Sequence, residues 1–241
     1  MSCFSGPNLI TSSLVLDLDA GNLKSYTGSG TNYYDVSGNS NKASMYGTAP
    51  FSTDGGGCFD FSTITGAASS SASMGFTFSS EMVTPTGSFT ISTWIKNPPA
   101  TAGQCGMFSN SGSGNGYRFG VGQNGIYYLI GPPYTEGGIS FISTFDNSKW
   151  HNIVAVFDRT GVLNSGTARM QMYLDGVFQG TGYIPASQTT FAGLNGPPGL
   201  VRSACCSLYT GKIATLTVHN IPLTSTQILQ NFISLHGRFG I

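Results

Sequence analysis

The stretch Leu14-Val-Leu-Asp-Leu-Asp-Ala-Gly-Asn-Leu-Lys-Ser-Tyr26, followed by Tyr34-Asp-Val-Ser-Gly-Asn-Ser-Asn-Lys42, is the most informative part of this sequence. In its first half, leucines alternate with Val15, Asp17 and Asp19. This period of two is expected of a strand with one buried face. The strand runs directly into carboxylates and turn-forming residues, so the segment predicts a β-strand that leads into a polar loop.

The composition favours an all-β protein without a charged binding surface. Only 8% of the 241 residues are charged, against roughly 25% in an average soluble domain. Gly, Ser, Thr and Asn supply the polarity, which is typical of short strands joined by hydrogen-bonding loops. Ten basic and ten acidic residues cancel, and this balance excludes nucleic acid and anionic membranes as expected partners. No apolar run reaches the roughly 18 residues of a membrane span.

Two hairpins and a central strand are predicted from local signals. The pairs Asn124-Gly125 and Asp175-Gly176 supply the positive φ angles that a tight primed turn requires. The apolar run Trp150–Phe157 predicts a central strand covered on both faces. In the alternating run Phe89–Ile95, Trp94 is expected on the face opposite to the other large apolar residues.

One C-terminal helix is predicted. Thr224 and Gln227 form a capping box, and Gly237 is the expected stop. The apolar stripe of this helix comprises Ile228, Leu229, Phe232 and Leu235. We therefore predict a two-sheet antiparallel sandwich with one short C-terminal helix, as a single domain over residues 14–241 preceded by an N-terminal arm over residues 1–13.

Five ordered segments carry a resemblance to a known family. They lie at 18–22 with 34–39, at 89–95, at 150–154, at 172–177, and at 211–214 leading into 221–225 and 231–232. Their order and spacing resemble concanavalin A-like, laminin-G-like jelly-roll modules of the type found in tailed-phage virion structural proteins. The resemblance implies a jelly-roll sandwich, and members of the wider family bind glycans, proteins or calcium, while some hydrolyse polysaccharides.

The leading functional expectation is a non-enzymatic virion structural protein, displayed as a capsid decoration or as a tail or fibre component. It would act through protein–protein contacts with other virion proteins and as a homo-oligomer. The N-terminal sequence Met1–Pro7 lacks the features of a secretory signal, so synthesis in the host cytoplasm and a working location on the virion are expected. The alternative is a lectin-like adhesin that binds host cell-surface polysaccharide, with or without calcium.

Catalytic signatures are missing from the sequence. A glucanase on this fold needs paired carboxylates about 5 Å apart. The two glutamates, Glu81 and Glu136, are not followed by a second acid two or four residues on. The sequence contains neither a Gly-x-Ser-x-Gly elbow nor a phosphate-binding loop. No catalytic residue is therefore assigned.

Two sets of binding residues are candidates. Tyr134 lies in a loop between prolines and glycines, where no strand periodicity demands an aromatic residue, and Asn110 and Asn115 supply nearby amides for a glycan. Calcium requires six to eight oxygen ligands. If the two loops of the opening segment meet, ligands would come from Asp19, Asn22, Asp35 and Asn39. The competing interpretation is that these side chains hydrogen-bond to their own loop backbone.

Overall fold

A computed structural model describes most of the chain. The described residues are 7–48, 50–65, 75–78, 87–96, 104–109, 117–122, 125–130, 138–141, 146–184, 199–200 and 209–241. The strands are β1 (Leu14–Asp19), β2 (Asn32–Tyr34), β3 (Lys42–Tyr46), β4 (Phe51–Ser52), β5 (Cys58–Asp60), β6 (Gly75–Phe78), β7 (Phe89–Lys96), β8 (Gln104–Ser109), β9 (Tyr117–Gly122), β10 (Gly125–Ile130), β11 (Gly138–Phe141), β12 (His151–Asp158), β13 (Arg169–Leu174), β14 (Val177–Tyr183), β15 (Gly199–Leu200) and β16 (Lys212–His219); the helix is α1 (Ser225–Phe239).

The strands form two antiparallel sheets, as predicted. The helix-side sheet has the order β14-β13-β12-β7-β16-β5-β4, and β1 also pairs with β16. The opposite sheet has the order β11-β10-β9-β8-β15-β6-β3-β2. Strands distant in sequence, such as β7 and β16, are direct neighbours, so the sheets form only when the whole chain folds.

The core lies between the inner faces of the two sheets. Leu16, Leu18 and Phe59 of the helix-side sheet pack in one cluster with Phe76 and Phe119 of the opposite sheet. The alternation predicted for β1 is confirmed, because Leu14, Leu16 and Leu18 are buried while the intervening residues are partly exposed.

The helix-side sheet is also buried on its outer face, where α1 covers it. Trp94 points outward as predicted and stacks on Phe232 and Phe239 at ring-centroid distances of 5.6 and 4.1 Å. Every residue of β12 is buried, which confirms the central strand predicted from its continuous apolar run. Such a strand has no solvent-facing side, so polar residues on it require partners within the protein.

The predicted capping box is present, but the predicted end of the helix is wrong. Thr224 accepts a hydrogen bond from the Gln227 backbone, and the Gln227 side chain accepts one from the Thr224 backbone. The helix continues through Gly237 and ends at Gly240, which adopts a left-handed conformation with φ of 74°. Tertiary contacts of the last turn, made by Arg238 and Phe239, outweigh the weak helix propensity of Gly237.

Arg238 fixes the last turn of α1 to the opposite end of the chain. Its Nη1 donates to both carboxylate oxygens of Asp19 at 2.7 and 2.8 Å. Its Nε and Nη2 donate to the carbonyl oxygens of Gly55 and Gly57 at 2.7 and 3.1 Å. The guanidinium therefore joins the end of β1, the turn before β5 and the helix in one hydrogen-bonded group.

Residues 8–10 of the expected arm contact their own chain. The Ile10 backbone N–H donates to Asn231 Oδ1 at 2.8 Å, and the Ile10 carbonyl lies 2.9 Å from His219 Nε2. The Ile10 side chain packs beside Val154 and Ile228 under the helix. The start of the described chain thus contributes to the cover of the helix-side sheet. No helix in the described part of the chain has the length and apolarity needed to cross a membrane.

We predict that Arg238→Ala lowers the free energy of unfolding by about 2–3 kcal/mol, because it leaves a partly buried carboxylate and two carbonyls without their donors. Arg238→Lys, which retains the charge without the planar fork, should recover only part of the loss. Chemical denaturation followed by tryptophan fluorescence measures both values. Lys149→Ala is the control, because its ion pair with Asp146 is exposed and should contribute less than about 1 kcal/mol. Equal losses for Arg238→Ala and Lys149→Ala would contradict this prediction.

Candidate ligand-binding site

The outer face of the edge strand β14 presents aromatic side chains to solvent. Phe178 and Tyr183 are 49% and 59% exposed, and Thr181 between them is also exposed. On β13, Met170 and Met172 lie in the core cluster, so the alternate residues 169, 171 and 173 face away from the core. Phe178, Thr181 and Tyr183 pair with these alternate residues and therefore lie on the same outer face. Exposed aromatic side chains along one strand face form a ready contact surface for a ligand. We call Phe178, Thr181 and Tyr183 the β14 platform.

A turn and a bulge place the platform residues on one face. Asp175 and Gly176 have φ angles of 52° and 76°, which confirms the predicted primed turn between β13 and β14. A register shift then leaves Gln179 without a partner on β13. Side chains alternate along a strand, so without this bulge Thr181 and Tyr183 would face the core side. The extra residue aligns them with Phe178.

A chain of hydrogen bonds supports the platform from beneath. Tyr173 Oη donates to Gln171 Oε1 at 2.9 Å, and Gln171 Nε2 donates to Asn164 Oδ1 at 3.2 Å. Asn164 Nδ2 in turn donates to Asp158 Oδ2 at 3.1 Å. The Tyr173 ring packs edge-on against Phe178 at 5.4 Å. These contacts restrict the residues below the platform, and such support favours a preformed binding surface.

A cation flanks one end of the platform. The guanidinium carbon of Arg169 lies 5.9 Å from the centroid of the Tyr183 ring. Arg169 and Tyr183 are direct cross-strand partners, so they occupy the same face. Together with Arg169, the platform therefore offers two aromatic rings, two hydroxyls and one positive charge.

Sequence reasoning missed this platform. Its three candidate glycan-binding residues, Tyr134, Asn110 and Asn115, lie outside the described residues, and their role stays a prediction. The sequence signal available for β14 was an Asp-Gly turn followed by an aromatic residue. That signal does not reveal the bulge, and the bulge determines which side chains face solvent.

The proposed calcium ligand Asp35 has its carboxylate engaged in hydrogen bonds. Its Oδ1 accepts from the backbone N–H groups of Asp17 and Ser37 at 2.9 and 2.8 Å. Its Oδ2 accepts from Ser37 Oγ and Asn41 Nδ2, both at 2.9 Å. These bonds fix the loop after β2 beside β1, which agrees with the competing loop-capping interpretation.

The other three candidate calcium ligands also have internal partners. Asp19 binds Arg238 and the Gly21 N–H, and Asn22 Oδ1 accepts from the Lys24 N–H at 3.0 Å. Asn39 Nδ2 donates to the carbonyl of Leu14. No group of three or more His, Cys, Asp or Glu suited to a metal ion occurs within the described segments. A calcium ion at Asp19, Asn22, Asp35 and Asn39 would have to replace these bonds, and the site stays a prediction.

A cleft of about 590 Å³ lies between residues 7–9 and the end of α1. Its polar side chains are largely engaged on the same chain. Ser234 donates to the carbonyl of Asn231, His236 contacts the carbonyl of Ile233, and Arg238 is bound to Asp19. These three side chains are therefore less available to a ligand in the cleft.

Comparison with known families agrees with this architecture. The model of the concanavalin A-like lectin/glucanases superfamily matches residues 70–229. The chain belongs to this superfamily. None of the curated proteins matches this superfamily member by sequence.

Solved structures with the same fold include several binding domains. The binding domain of botulinum neurotoxin DC in complex with SialylT is 15% identical with a TM-score of 0.67, covering 93% of this chain and 52% of that one. The same toxin domain bound to rat synaptotagmin II is 17% identical, with a TM-score of 0.67 and coverages of 94% and 52%. This superfamily member thus spans about half the length of the toxin domains.

Another solved structure is matched over nearly its whole length. Domain 4 of an extracellular arabinanase from Geobacillus stearothermophilus, in complex with arabinotriose, is 14% identical with a TM-score of 0.65. The alignment covers 92% of this chain and 98% of that domain. At these identities the likeness establishes a shared fold.

The carboxylates of Asp17, Asp19 and Asp35 lie close together at β1, and from them we expect the stability of the protein to depend on pH. Burial, with added repulsion from Asp19 and Asp35, raises the pKa of Asp17 from 3.8 to about 7. The unfolded chain therefore binds fewer protons than the folded chain between these pH values, and stability falls as pH rises through this window. We predict that Asp17→Asn raises the free energy of unfolding at pH 8, by at most about 4 kcal/mol, and leaves it nearly unchanged at pH 4.

Urea denaturation at pH 4, 6 and 8 measures this effect. Asp146→Asn is the control, because hydrogen bonds from Ser148 lower the pKa of that exposed carboxyl, so its removal should give no gain at pH 8. A gain from Asp17→Asn that is the same at pH 4 and pH 8 would show that lost ionisation is not the cause.

Proposed function

We propose that this protein is a non-enzymatic, lectin-like module that binds carbohydrate through the β14 platform. The observation that carries this proposal is the exposure of Phe178 and Tyr183 on one strand face, supported from beneath by the hydrogen-bonded Gln171 and Tyr173. An exposed aromatic ring offers a flat apolar surface to the C–H face of a sugar, and adjacent hydroxyl and amide groups pair with sugar hydroxyls.

The dimensions of the platform suit an oligosaccharide. The β13 partners of Phe178 and Tyr183, Tyr173 and Arg169, are four residues apart, so the two rings are separated along the strand by roughly 13 Å. Such a span exceeds one sugar ring. Among the described strands, β14 lies at the edge of its sheet, and its outer face is exposed along this span.

The structural neighbours support binding as the general function. Their names describe domains in complex with SialylT, with rat synaptotagmin II and with arabinotriose. A hydrolytic role is not proposed, because the two glutamates of the sequence lack the paired acid that glycoside hydrolysis requires.

We predict that Tyr183→Ala weakens glycan binding at least about tenfold, because the largest exposed ring of the platform is lost. The matched control is Tyr34→Ala, which removes a tyrosine that is 43% exposed on β2 of the opposite sheet and should leave binding unchanged. A glycan array identifies the ligand, and titration calorimetry with that ligand compares the variants.

Glycan binding by Tyr134→Ala shows whether the ligand contacts the β14 platform or the Tyr134 loop predicted from the sequence. If that variant loses binding while Tyr183→Ala retains it, the ligand contacts the loop rather than β14. Failure of the wild-type protein to bind any glycan would refute the carbohydrate-binding proposal.

The second candidate function is a structural role on a phage virion after synthesis in the host cytoplasm, with other virion proteins or further copies of this chain as partners. The favouring observation is an exposed apolar strip at the β13–β14 turn. Val177, Leu229 and Ile233 are 61%, 43% and 37% exposed, and Gly176 lies against Leu229. Exposed apolar surface of this kind is typical of protein interfaces.

Cosedimentation with genome-free phage capsids tests this second candidate. A decoration protein should bind at fixed stoichiometry, and Leu229→Ser with Val177→Ser should abolish binding while Tyr183→Ala leaves it intact. Absence of cosedimentation together with specific glycan binding would favour the lectin-like function alone.

A further inference from the structure

We infer that the β14 platform selects acidic saccharides, with the guanidinium of Arg169 binding the anionic group of the sugar. This inference rests on the proposed carbohydrate-binding function and specifies its ligand class. Three observations support it: Arg169 forms no ion pair among the described residues, the neighbouring Asp158 carboxylate is engaged by other donors, and Arg169 lies beside Tyr183.

Within the described ranges of the chain, Arg169 is a cation without an anionic partner. Among the residues that the structure describes, it forms neither an ion pair nor a hydrogen bond through its guanidinium, and its one polar contact is the Tyr183 ring. In contrast, Arg238 and Lys212 each contact a carboxylate. Only ten basic residues occur in the whole chain, so an unpaired arginine beside exposed aromatic rings is a distinctive feature.

The nearest expected partner of Arg169 is already saturated. Asp158 is its cross-strand neighbour on β12 and is completely buried. Four donors occupy its two oxygens at 2.8–3.2 Å: Thr160 Oγ1, the backbone N–H groups of Val162 and Leu163, and Asn164 Nδ2. A carboxylate with these bonds has no favourable lone pair left for the guanidinium. The guanidinium of Arg169 lies instead beside the ring of Tyr183, its cross-strand partner on β14.

The position of Arg169 fits a ligand that lies on Tyr183. Because the guanidinium carbon of Arg169 lies over one face of the Tyr183 ring, 5.9 Å from its centroid, a sugar would pack against the rest of the ring. An acidic substituent of that sugar at the ring edge would then be within reach of the guanidinium. Guanidinium presents paired N–H donors in a planar fork that matches the two oxygens of a carboxylate. Stacking on an aromatic face also restricts the guanidinium, which reduces the entropy lost when the anion binds.

Nearby charges moderate the selectivity. The Asp158 carboxylate lies on the same face as Arg169 and reduces the positive potential there, although its four hydrogen bonds partly neutralise it. The preference for an acidic sugar should therefore be about tenfold, the value expected of one or two charge-assisted hydrogen bonds at a partly exposed site. It should also weaken as salt is raised.

The experiment uses a glycan array and calorimetry with matched ligands. Each carboxylate-bearing glycan is paired with its methyl ester or carboxyl-reduced form, and sulfated glycans form a separate set. The variants are Arg169→Gln, Arg169→Lys and Lys24→Gln. Lys24→Gln removes a charge from an exposed loop at the end of β1, and four strands of the helix-side sheet separate β1 from β14.

The inference predicts about tenfold tighter binding of the acidic glycan than of its neutral counterpart. Arg169→Gln should abolish this difference, Arg169→Lys should restore part of it, and Lys24→Gln should have no effect. Unchanged thermal unfolding of Arg169→Gln excludes a loss of fold as the cause.

Two results would overturn the inference and are distinguishable. If acidic and neutral counterparts bind equally and Arg169→Gln has no effect, the acidic preference is wrong while carbohydrate binding stands. If no glycan of either kind binds, the proposed function fails and the inference fails with it. A preference for sulfated over carboxylated glycans that also requires Arg169 would support the role of Arg169 and identify sulfate as the anion.

Discussion

Burial of the helix-side sheet on both faces is the constraint on which the rest of this structure depends. Its inner face packs on the opposite sheet. Its outer face packs on α1, where the ring of Trp94 stacks on the rings of Phe232 and Phe239. A chain with only 8% charged residues has few ion pairs for its surface, so stability must come from apolar burial on both faces. Arg238, bound to Asp19, holds the helix in the position that this burial requires.

This arrangement also determines where a ligand can bind on the helix-side sheet. The helix and the segment 159–168 cover its centre, with Leu163 packed beside the buried Tyr173. The edge strand β14 lies beyond this cover and retains an exposed outer face. Edge strands are exposed to unwanted pairing, and a bulge is one of the features that limit it. Here the bulge at Gln179 has a second effect, because it places Tyr183 on the solvent-facing side.

Local signals in the sequence identified much of the fold. The Asp175–Gly176 turn and the Thr224–Gln227 capping box depend on neighbouring residues only, and both are present in the structure. Strands β9 and β10 on either side of the turn predicted at Asn124-Gly125 are also paired, with Gly122 opposite Gly125, while Asn124 itself lies outside the described residues. The end of α1 was misplaced at Gly237, because the contacts that extend the helix come from β1 and from residues 55 and 57. Within the predicted apolar stripe, Ile228 is buried whereas Leu229 is 43% exposed.

Fold class and secondary structure were thus encoded in patterns of a few residues, since strand alternation, turn conformation and helix capping are satisfied within a short segment. Site geometry required the folded chain. Whether Asp19 coordinates an ion or binds Arg238 depends on a residue more than two hundred positions away. Whether Arg169 is neutralised depends on how many donors reach Asp158 from its own loop. Such contacts join residues that only long-range strand pairing and helix packing bring together, and no local pattern records them.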